Sequence, residues 1–587
     1  MHSALTRLVG VVAAVGAAPV AAAATADWAS QTWDAIVVGA GTAGIIVADR
    51  LSEAGHRTLL LEQGGKSYGV VGGEERPDWL SGTNLSRVDV PGLYTTIFNG
   101  KSSLLCSSEQ STTFAACTVG GNSAINAGLY FQPPASDWDD YHPPGWHSSD
   151  VQGSVQKLLQ RQPAITHYSQ DGQFYLQSGY EDVQKWIVDG AGYSNVSFLD
   201  TIDDKDAVFG RPVYNYIGGQ RGGPTRTYLQ SALARSNFQL QLGVTVKYIE
   251  QADGVASAVM VQLANGETKS VKLTAGKGRV VLSAGALLSP KMLMYSGIGP
   301  QEALSQLAAK SFTPYNETNW IVQPHVGEGL FDNPNTFIEL SSPNIKSYVY
   351  QYAEPEQQDK EMYLNSRTGP YSFASQTSVF WTYMNHSDGT RSGVQGTVNS
   401  AGYSDFTGDN TVTLNIYGTS GLLSSGRVVL SEDGKFSALP SEDVFYSNPR
   451  DAEDIAGFIH DLFQHLPPST PTSPAKDGLT PLNIARDSSL EEIRKYITSP
   501  SAYAVGAVNH WSSSCRIGKC VDTNTQVMGT QNIHVVDASI LAPLTVNPQF
   551  AVMVAGELGS ERILAAMNGS GRSRRSRRSM QERRARN

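Results

Sequence analysis

The segment WDAIVVGAGTAGIIVADRLSEAGHRTLLLEQGG, residues 33–65, constrains the fold more than any other part of the chain. Its AIVV run is short, apolar and β-branched, which is typical of a buried parallel strand. Gly39, Gly41 and Gly44 follow in G-x-G-x-x-G spacing, apolar residues then recur at helical period, and RTLLLE ends at Glu62. Together these features predict a strand–helix–strand unit that binds a dinucleotide.

Each residue type in this unit has a physical role. The first glycine permits a tight turn, the second lets the backbone approach a pyrophosphate, and the third lets helix and strand pack closely. The apolar positions recur at helical period from Ala43 to Ala54, and the N-terminus of this helix faces the phosphates. Glu62 is placed to accept hydrogen bonds from a ribose diol, and its charge disfavours the 2′-phosphate of NADP. The unit alone does not distinguish FAD from NAD.

Later segments do distinguish them. GALLSPKMLMYSGIG, residues 285–299, is similar throughout to the second signature of the glucose–methanol–choline (GMC) flavin oxidoreductases. TVGGNSAINAGLYFQPPASDWDDY, residues 118–141, resembles the first signature, and residues 534–564 resemble the segment that closes over the flavin. The resemblance runs from about residue 33 to 566, and within the family the chain is most similar to the flavin domain of cellobiose dehydrogenases.

The resemblance implies an α/β fold with an FAD-binding, Rossmann-like parallel-sheet domain and a substrate domain built on an antiparallel sheet. We expect the chain to alternate between the two. The expected stretches are a signal peptide at 1–24, FAD-binding stretches at 33–135, 206–309 and 501–567, substrate stretches at 136–205 and 310–500, and a basic disordered tail at 568–587.

The resemblance also assigns residues to FAD. They are Gly39, Gly41, Thr42, Ala43, Gly44 and Glu62 for the ADP half, Val246 for the adenine, Gly120, Gly121, Asn122 and Asn126 along the pyrophosphate and isoalloxazine, and Asp537 and Ala538 for the pyrophosphate and ribityl chain. Some relatives attach the flavin covalently to a histidine in the first signature. Residues 119–130 contain no histidine, so we expect non-covalent FAD.

The stretch VNHWSSSCRIG, residues 508–518, contains the candidate catalytic residue His510. Taken alone, it is typical of a structural polar group beside a buried tryptophan. In the family, a histidine in this context faces the flavin and is paired with a later histidine or asparagine, here Asn547. The resemblance therefore implies that His510 is the base for a substrate hydroxyl and that Asn547 hydrogen-bonds the same hydroxyl. Asn509 matches a substrate-contacting position, and a turn residue is an equal alternative.

Two positions argue against cellobiose as the substrate. Gln177 and Asn399 stand where the cellobiose enzymes hold the non-reacting sugar with a glutamate and an arginine, so two charge-assisted hydrogen bonds are missing. We expect oxidation of an alcohol group on a secondary metabolite or a sugar, by hydride transfer to flavin N5, with oxygen or another electron acceptor. The alternative is a lyase or cyclase that keeps the flavin for structure. A non-catalytic binding protein is disfavoured by the intact motifs.

The N-terminus predicts secretion. A basic start, an apolar stretch too short to span a membrane and small residues up to Ala24 form a secretory signal layout. The four cysteines form two close pairs, Cys106 with Cys117 and Cys515 with Cys520, which could close local loops in an oxidising compartment. Their spacing fits no strong metal pattern, so we expect no metal. Five N-x-[ST] glycosylation sequons occur, at Asn84, Asn195, Asn316, Asn385 and Asn568.

The charge distribution limits the partners. The formal net charge of −10 argues against a nucleic-acid-binding protein, and no other segment approaches membrane length. Residues 571–587 hold eight arginines and one glutamate. Such a run is typical of a disordered, solvated tail, with nuclear import, polyanion binding or dibasic processing as alternatives.

Overall fold

A computed structural model describes residues 27–99, 102–107, 113–431, 437–466 and 478–584, with side chains described as far as Asn568. The expected signal peptide, residues 1–24, lies outside these residues. Two large sheets organise the described chain, one parallel and one antiparallel. This mixed α/β architecture confirms the predicted fold class.

The parallel sheet carries the first sequence motif. Its described strands, in spatial order, are Ile533–Val535, Arg279–Leu282, Ala35–Val38, Thr58–Leu61 and Phe238–Gln241. All neighbours pair in parallel, and every residue of Ala35–Val38 and Thr58–Leu61 is buried. Burial on both faces explains why these strands read as continuous apolar runs. The sheet is assembled from three separated stretches of the chain.

Helices and a smaller sheet cover this core. The smaller sheet contains Thr32–Trp33, Thr268–Leu273, Val255–Gln262 and Thr245–Ala252. The α-helices of the described chain are Thr42–Glu53, Ala135–Asp139, Ser148–Arg161, Ser178–Gln184, Tyr228–Leu233, Gly285–Tyr295, Gln301–Ala309, Gln357–Ser366, Pro449–Gln464, Leu490–Thr498 and Gln549–Arg584. A π-helical turn, Lys185–Gly190, continues the fourth of them.

The second large sheet is mainly antiparallel and has two unlike faces. Its described strands, in spatial order, are Thr480–Pro481, Pro334–Ser341, Thr411–Gly418, Arg391–Val398, Ser378–Asn385, Val208–Gly210 and Ser194–Asn195. One face buries aliphatic side chains such as Ile338, Val394 and Leu414 in a core with the helix Pro449–Gln464. The alternate positions Trp381, Gln395 and Tyr417 lie side by side in register. This second face reaches the candidate site.

Two strands fall outside their expected domain stretches. Val208–Gly210 pairs with Ser378–Asn385, and Ala504–Ala507 pairs with Pro334–Ser341, so both belong to the antiparallel sheet. The sequence places them in FAD-binding stretches because a short apolar run does not reveal which sheet it joins. The remaining domain boundaries stay predictions.

Small strand pairs complete the structure. They are Glu328–Leu330, Gly426–Leu430 and Ala438–Pro440 in one sheet, Ile298–Gly299 with Ile321–Val322, and Tyr216–Ile217 with Gln220–Arg221.

The C-terminal helix extends through the basic segment. Its backbone is helical as far as Arg584, where the composition predicts a disordered tail. The arginines, the glutamine, the glutamate and the methionine of this segment favour continuation of the helix, whereas Gly569 and Gly571 oppose it. Within the described residues, no helix combines the length and apolar character needed to cross a bilayer.

Candidate active site

The three glycines of the first motif pack against Ser283, at the end of the neighbouring strand. Gly39 has φ 101°, and a Cβ there would lie 2.5 Å from the Ser283 carbonyl oxygen. A Cβ on Gly44 would lie 2.0 Å from the Gly39 oxygen. At Gly41, by contrast, the nearest atom would be 3.7 Å away. The protein therefore has room for a Cβ at Gly41, and glycine there suits the close approach of a ligand's pyrophosphate.

The helix Thr42–Glu53 begins beside these glycines without a side-chain cap on its N-terminus, so its first N–H groups are available to an anion. Glu62 lies at the end of the next strand. Its Oε2 accepts a hydrogen bond from Ala40 N at 2.9 Å, and its Oε1 accepts one from Gly64 N at 2.8 Å. Burial raises the pKa of Glu62 to about 7, while these hydrogen bonds lower it. Each oxygen keeps a lone pair for a ribose hydroxyl.

The first signature meets the first motif directly. Gly120 N donates to Ala40 O at 2.7 Å, and a Cβ on Gly121 would lie 2.8 Å from Gly41 Cα. Asn122 Oδ1 accepts a hydrogen bond from Ala116 N at 3.0 Å, which holds the turn at Gly121. Two motifs that are about eighty residues apart therefore build one backbone cradle.

Asn126 connects this cradle to a buried cation. Its Oδ1 accepts hydrogen bonds from Gly128 N and from Arg221 Nη1, both at 2.9 Å, and its Nδ2 donates to Gln549 Oε1. Arg221 is 1% exposed and pairs with no carboxylate in the described chain. Its Nε donates to Val88 O at 3.0 Å, and its Nη2 has no hydrogen-bond partner among the described residues. A buried guanidinium with a free donor suits an anionic or carbonyl-bearing ligand.

The C-terminal segment contributes Asp537 and Ala538. Asp537 Oδ2 accepts from Gly285 N at 2.9 Å and from Ser289 Oγ at 2.6 Å. Its carboxylate therefore holds the start of the helix Gly285–Tyr295, a role that the sequence does not predict. Ala538 lines the cavity described below. Val246 lies in the strand Thr245–Ala252. The residue before this strand, Val244, donates its backbone N–H to Glu62 O at 3.0 Å.

His510 is held by two consecutive residues. Its backbone N donates to Asp332 Oδ1 at 2.7 Å, and its ring Nδ1 lies 2.9 Å from Asn333 Oδ1. Asn509 has φ 64°, a left-handed conformation, and its N donates to Asp332 Oδ2 at 3.0 Å. Asn509 Oδ1 accepts from Trp511 Nε1 at 3.3 Å. The described bonds of Asn509 fit the turn interpretation, and contact with substrate stays a prediction.

Asn547 is held by the antiparallel sheet. Its Oδ1 accepts from Gln395 Nε2 at 3.0 Å, and its Nδ2 donates to the Tyr417 hydroxyl at 3.2 Å. The Tyr417 ring is in edge contact with the His510 ring, with centroids 6.1 Å apart. His510 and Asn547, the pair predicted from the sequence, therefore both contact Tyr417.

A small, partly open pocket lies beside His510. Polar groups of Asn333, His510 and Ser512 share its wall with apolar side chains. The lining residues are Phe331, Asn333, His510, Ser512, Ala538, Leu541, Ala542, Leu544, Val546 and Pro548. Apolar side chains with a few converging polar groups are the kind of lining that small-molecule sites have.

Burial shifts the pKa values of His510 and Asp332. The pKa of His510 is lowered to about 4 by burial, so the imidazole is neutral at neutral pH. Burial raises the pKa of Asp332 to about 7, and the backbone hydrogen bonds from His510, Asn509 and Asn333 act in the opposite direction. A neutral imidazole on a cavity wall has the protonation state that a general base needs.

Several site residues are absent from the sequence predictions. Asp332, Asn333, Gln395, Tyr417 and Arg221 hold or surround the predicted ones. Gln395 lies in the same strand region as Asn399, the residue that the sequence comparison selects. Asn399 Oδ1 instead accepts from Gln376 Nε2 at 3.2 Å. Gln177 donates to Tyr175 O at 2.7 Å and accepts from Arg211.

The fold and the site together define a dinucleotide-binding enzyme with a histidine at its cavity. The sequence model described as GMC oxidoreductase matches residues 34–335 in its N-terminal part and 423–556 in its C-terminal part. The chain therefore belongs to the GMC oxidoreductase family. Members of the family are typically FAD-dependent alcohol or sugar oxidoreductases, and FAD is the cofactor that the cradle described above fits.

Individual relatives differ in activity. An oxygen-dependent choline dehydrogenase of Vibrio vulnificus is 28% identical over 331 residues, which are 53% of this chain and 54% of that protein. The chain thus spans about half the length of this relative. (R)-Mandelonitrile lyase 3 of Prunus serotina is 24% identical over 581 residues, 92% of this chain and 87% of that enzyme. A formate oxidase structure from Aspergillus oryzae superposes with a TM-score of 0.71 at 18% identity, over 92% of this chain and 99% of that one.

Proposed function

We propose that the protein is a secreted oxidoreductase that uses FAD to oxidise an alcohol group. The observation that carries this proposal is the position of His510, whose imidazole lines a pocket together with Ala538. FAD, when bound, supplies the hydride acceptor. The groups that would hold it are the glycines of the first motif, Glu62, the Gly120–Gly121 turn and the buried Arg221.

The residues of the chain would handle the proton and the orientation of the substrate. His510 accepts the proton of the hydroxyl as the carbinol C–H bond breaks. Asn547 contacts the same oxygen without competing for its proton, because an amide does not titrate. The Asp332 carboxylate and the Asn333 amide keep the histidine in place.

The proposed substrate is an uncharged secondary-metabolite alcohol or a sugar. Gln177 and Asn399, the two positions where the sequence departs from the cellobiose enzymes, are neutral amides. Neither supplies a charge for an ionic substrate. The particular likeness to cellobiose dehydrogenases stays a prediction, and so does non-covalent attachment of FAD.

A second candidate is a non-redox reaction in the same pocket. The similarity to the mandelonitrile lyase covers 92% of this chain, more than the similarity to the choline dehydrogenase does. In such an enzyme, His510 would still move a proton, while the flavin would serve the structure.

Secretion is supported by two features of the described chain. Cys106 pairs with Cys117, and Cys515 pairs with Cys520, and disulfides persist mainly in oxidising compartments. The asparagines of the five sequons are all exposed, as N-glycosylation requires: Asn84, Asn195, Asn316, Asn385 and Asn568.

The decisive experiment is anaerobic titration of the purified holoenzyme with a panel of sugars, aromatic alcohols and polyketide-like alcohols. Bleaching of the oxidised flavin absorbance by an alcohol, abolished in His510→Ala, is the expected result. Formation of product without bleaching would overturn the oxidoreductase proposal and favour the lyase. A mandelonitrile included in the panel tests that alternative directly.

A further inference from the structure

The two ring nitrogens of His510 have different surroundings. Nδ1 lies 2.9 Å from Asn333 Oδ1. Nε2 has no hydrogen-bond partner among the residues that the structure describes. A neutral imidazole carries its proton on one nitrogen and a lone pair on the other. The identity of the basic nitrogen therefore depends on which atom of the Asn333 amide faces the ring.

The orientation of the Asn333 amide is determined by a third residue. Asn333 Nδ2 donates to Gly418 O at 2.7 Å. The reversed amide would place Oδ1 against this carbonyl oxygen, and two acceptors repel each other. Asn333 is 6% exposed, so water does not readily replace the lost bond. Oδ1 must face the histidine, and Nδ1 must then carry the proton.

The backbone around His510 is fixed by the neighbouring side chain. Asp332 is fully buried and accepts hydrogen bonds from the N–H groups of Asn509, His510 and Asn333 itself. Asp332 thus sets the position of the His510 Cα, while Asn333 sets the ring. A histidine held at both points loses little orientational entropy when it reacts.

We propose that Asn333 is the positioning residue that selects the Nδ1–H tautomer of His510 and leaves Nε2 as the basic nitrogen. The tautomer can be tested by itself, whereas its effect on the reaction rests on the proposed function. Two titratable groups described above contact His510. The Asp332 carboxylate accepts from the His510 backbone N–H, and the Tyr417 ring, from the strand Thr411–Gly418, lies against the imidazole.

The tautomer can be read without a substrate. The holoenzyme is labelled with ¹⁵N-histidine, and long-range ¹H–¹⁵N correlation distinguishes a protonated ring nitrogen from a bare one. The chain has 11 histidines, and the His510 signals are those missing from His510→Gln. We expect a protonated Nδ1 and a bare Nε2 in the wild type, and a mixture or the opposite tautomer in Asn333→Leu. An unchanged tautomer in Asn333→Leu would overturn the proposal.

Asn335→Leu is the matched control. Asn335 is also 6% exposed and lies two residues away, and its Oδ1 has no hydrogen-bond partner in the described chain. The Asn335→Leu variant makes the same change in size and polarity, within the strand that Asn333 directly precedes. We expect the wild-type His510 spectrum. If Asn335→Leu shifted the tautomer as Asn333→Leu does, general disturbance of the strand would explain both results, and the specific role of Asn333 would be lost.

Asn333→Asp provides a second variant that keeps the acceptor. The carboxylate would hold the Nδ1 proton and stabilise the imidazolium, so His510 would protonate at a pH at least about one unit higher than in the wild type. With an alcohol that bleaches the flavin, Asn333→Leu should slow reduction about tenfold at every pH. At pH values above the raised pKa of His510, Asn333→Asp should recover most of that loss. Equal losses of rate in both variants, with no shift in the pH dependence of Asn333→Asp, would contradict the proposal.

Failure of the proposed function gives a different pattern. If no alcohol bleaches the flavin but the ¹⁵N spectra behave as expected, the tautomer assignment stands and the oxidoreductase proposal falls. If alcohols bleach the flavin but Nε2 carries the proton, the positioning role of Asn333 falls instead.

Discussion

Gln395 Nε2 donates a 3.0 Å hydrogen bond to Asn547 Oδ1, so the antiparallel sheet holds the Asn547 amide. Trp381 Nε1 donates to Gln395 Oε1 at 3.2 Å, and Asn547 Nδ2 donates to the Tyr417 hydroxyl at 3.2 Å. An indole nitrogen can only donate. The hydrogen bonds from Trp381 through Gln395 and Asn547 to Tyr417 therefore all run in one direction, and they set the orientation of the Gln395 and Asn547 amides.

Gln395→Leu should slow flavin reduction about fivefold, because Asn547 loses one hydrogen bond worth about 1 kcal/mol. The FAD content of the purified protein should not change. The measurement is the anaerobic stopped-flow rate with an alcohol that bleaches the flavin. Gln323→Leu is the control, since Gln323 is also buried but bonds to His325 and Lys519. A Gln395→Leu rate equal to that of the wild type would show that Asn547 needs no support.

The features predictable from the sequence are those in which one local requirement determines the residue type. Gly39 must be glycine because its φ is positive and because a Cβ there would lie 2.5 Å from the Ser283 carbonyl oxygen. The buried strands read as apolar runs because both of their faces are covered. Such requirements are visible in a stretch of about thirty residues, and the parallel sheet follows from them.

The rest of the site depends on contacts that are distant in sequence. Asn333 and His510 are 177 positions apart, and Gln395 and Asn547 are 152 apart. A buried amide in a strand, such as Gln395, or just before one, such as Asn333, gives no local signal of its partner, so both are missed. Asp537 shows the reverse difficulty: its position is recognised, but its carboxylate serves the helix Gly285–Tyr295.

His510 should titrate at unusually low pH. Its folded pKa is about 4, so the basic form is lost only as the pH falls towards 4. The anaerobic reduction rate should rise with pH through a midpoint near 4. A midpoint near 6.5, the value of an exposed histidine, would contradict the burial of this group.

The lowered pKa of His510 also affects the free energy of unfolding. Between pH 6.5 and about 4 the unfolded chain binds a proton at this histidine and the folded chain does not, so stability falls as the pH falls through this window. His510→Gln removes this contribution. Urea unfolding of the two proteins at pH 7 and pH 5 should show a smaller loss on acidification for the variant. His142 and His534, which also have lowered pKa values, contribute equally to both and cancel in the comparison.

Two glycine substitutions should separate FAD binding from folding. Gly41→Ala places a methyl group at ordinary contact distance, 3.7 Å from the protein and in the space expected for the pyrophosphate. We expect normal expression and melting temperature of the flavin-free protein, with FAD affinity reduced at least about tenfold. Gly39→Ala combines a positive φ with a 2.5 Å clash, so it should reduce folded yield. Fluorescence titration with FAD and thermal melting measure the two effects. Full FAD affinity in Gly41→Ala would exclude the pyrophosphate from this position.

Arg221 should contribute to FAD retention. Its guanidinium is 1% exposed, has a free Nη2 and pairs with no carboxylate in the described chain. A buried charge in this state is costly unless a ligand satisfies it. One charge-assisted hydrogen bond is worth about 1.5–3 kcal/mol, so Arg221→Met should weaken FAD binding about tenfold to a hundredfold. It should also narrow the gap in melting temperature between the FAD-loaded and the flavin-free protein.

Arg226→Met is the control for this prediction. Arg226 is a neighbouring arginine that pairs with Asp89, so its charge is already satisfied within the protein. Its loss should lower the melting temperatures of the loaded and flavin-free forms by similar amounts and leave FAD affinity within about twofold, since no bond to the ligand is removed. If Arg221→Met also lowered both melting temperatures equally and kept its FAD, the guanidinium would serve only to bridge Val88 and Asn126, and the free Nη2 would face no ligand.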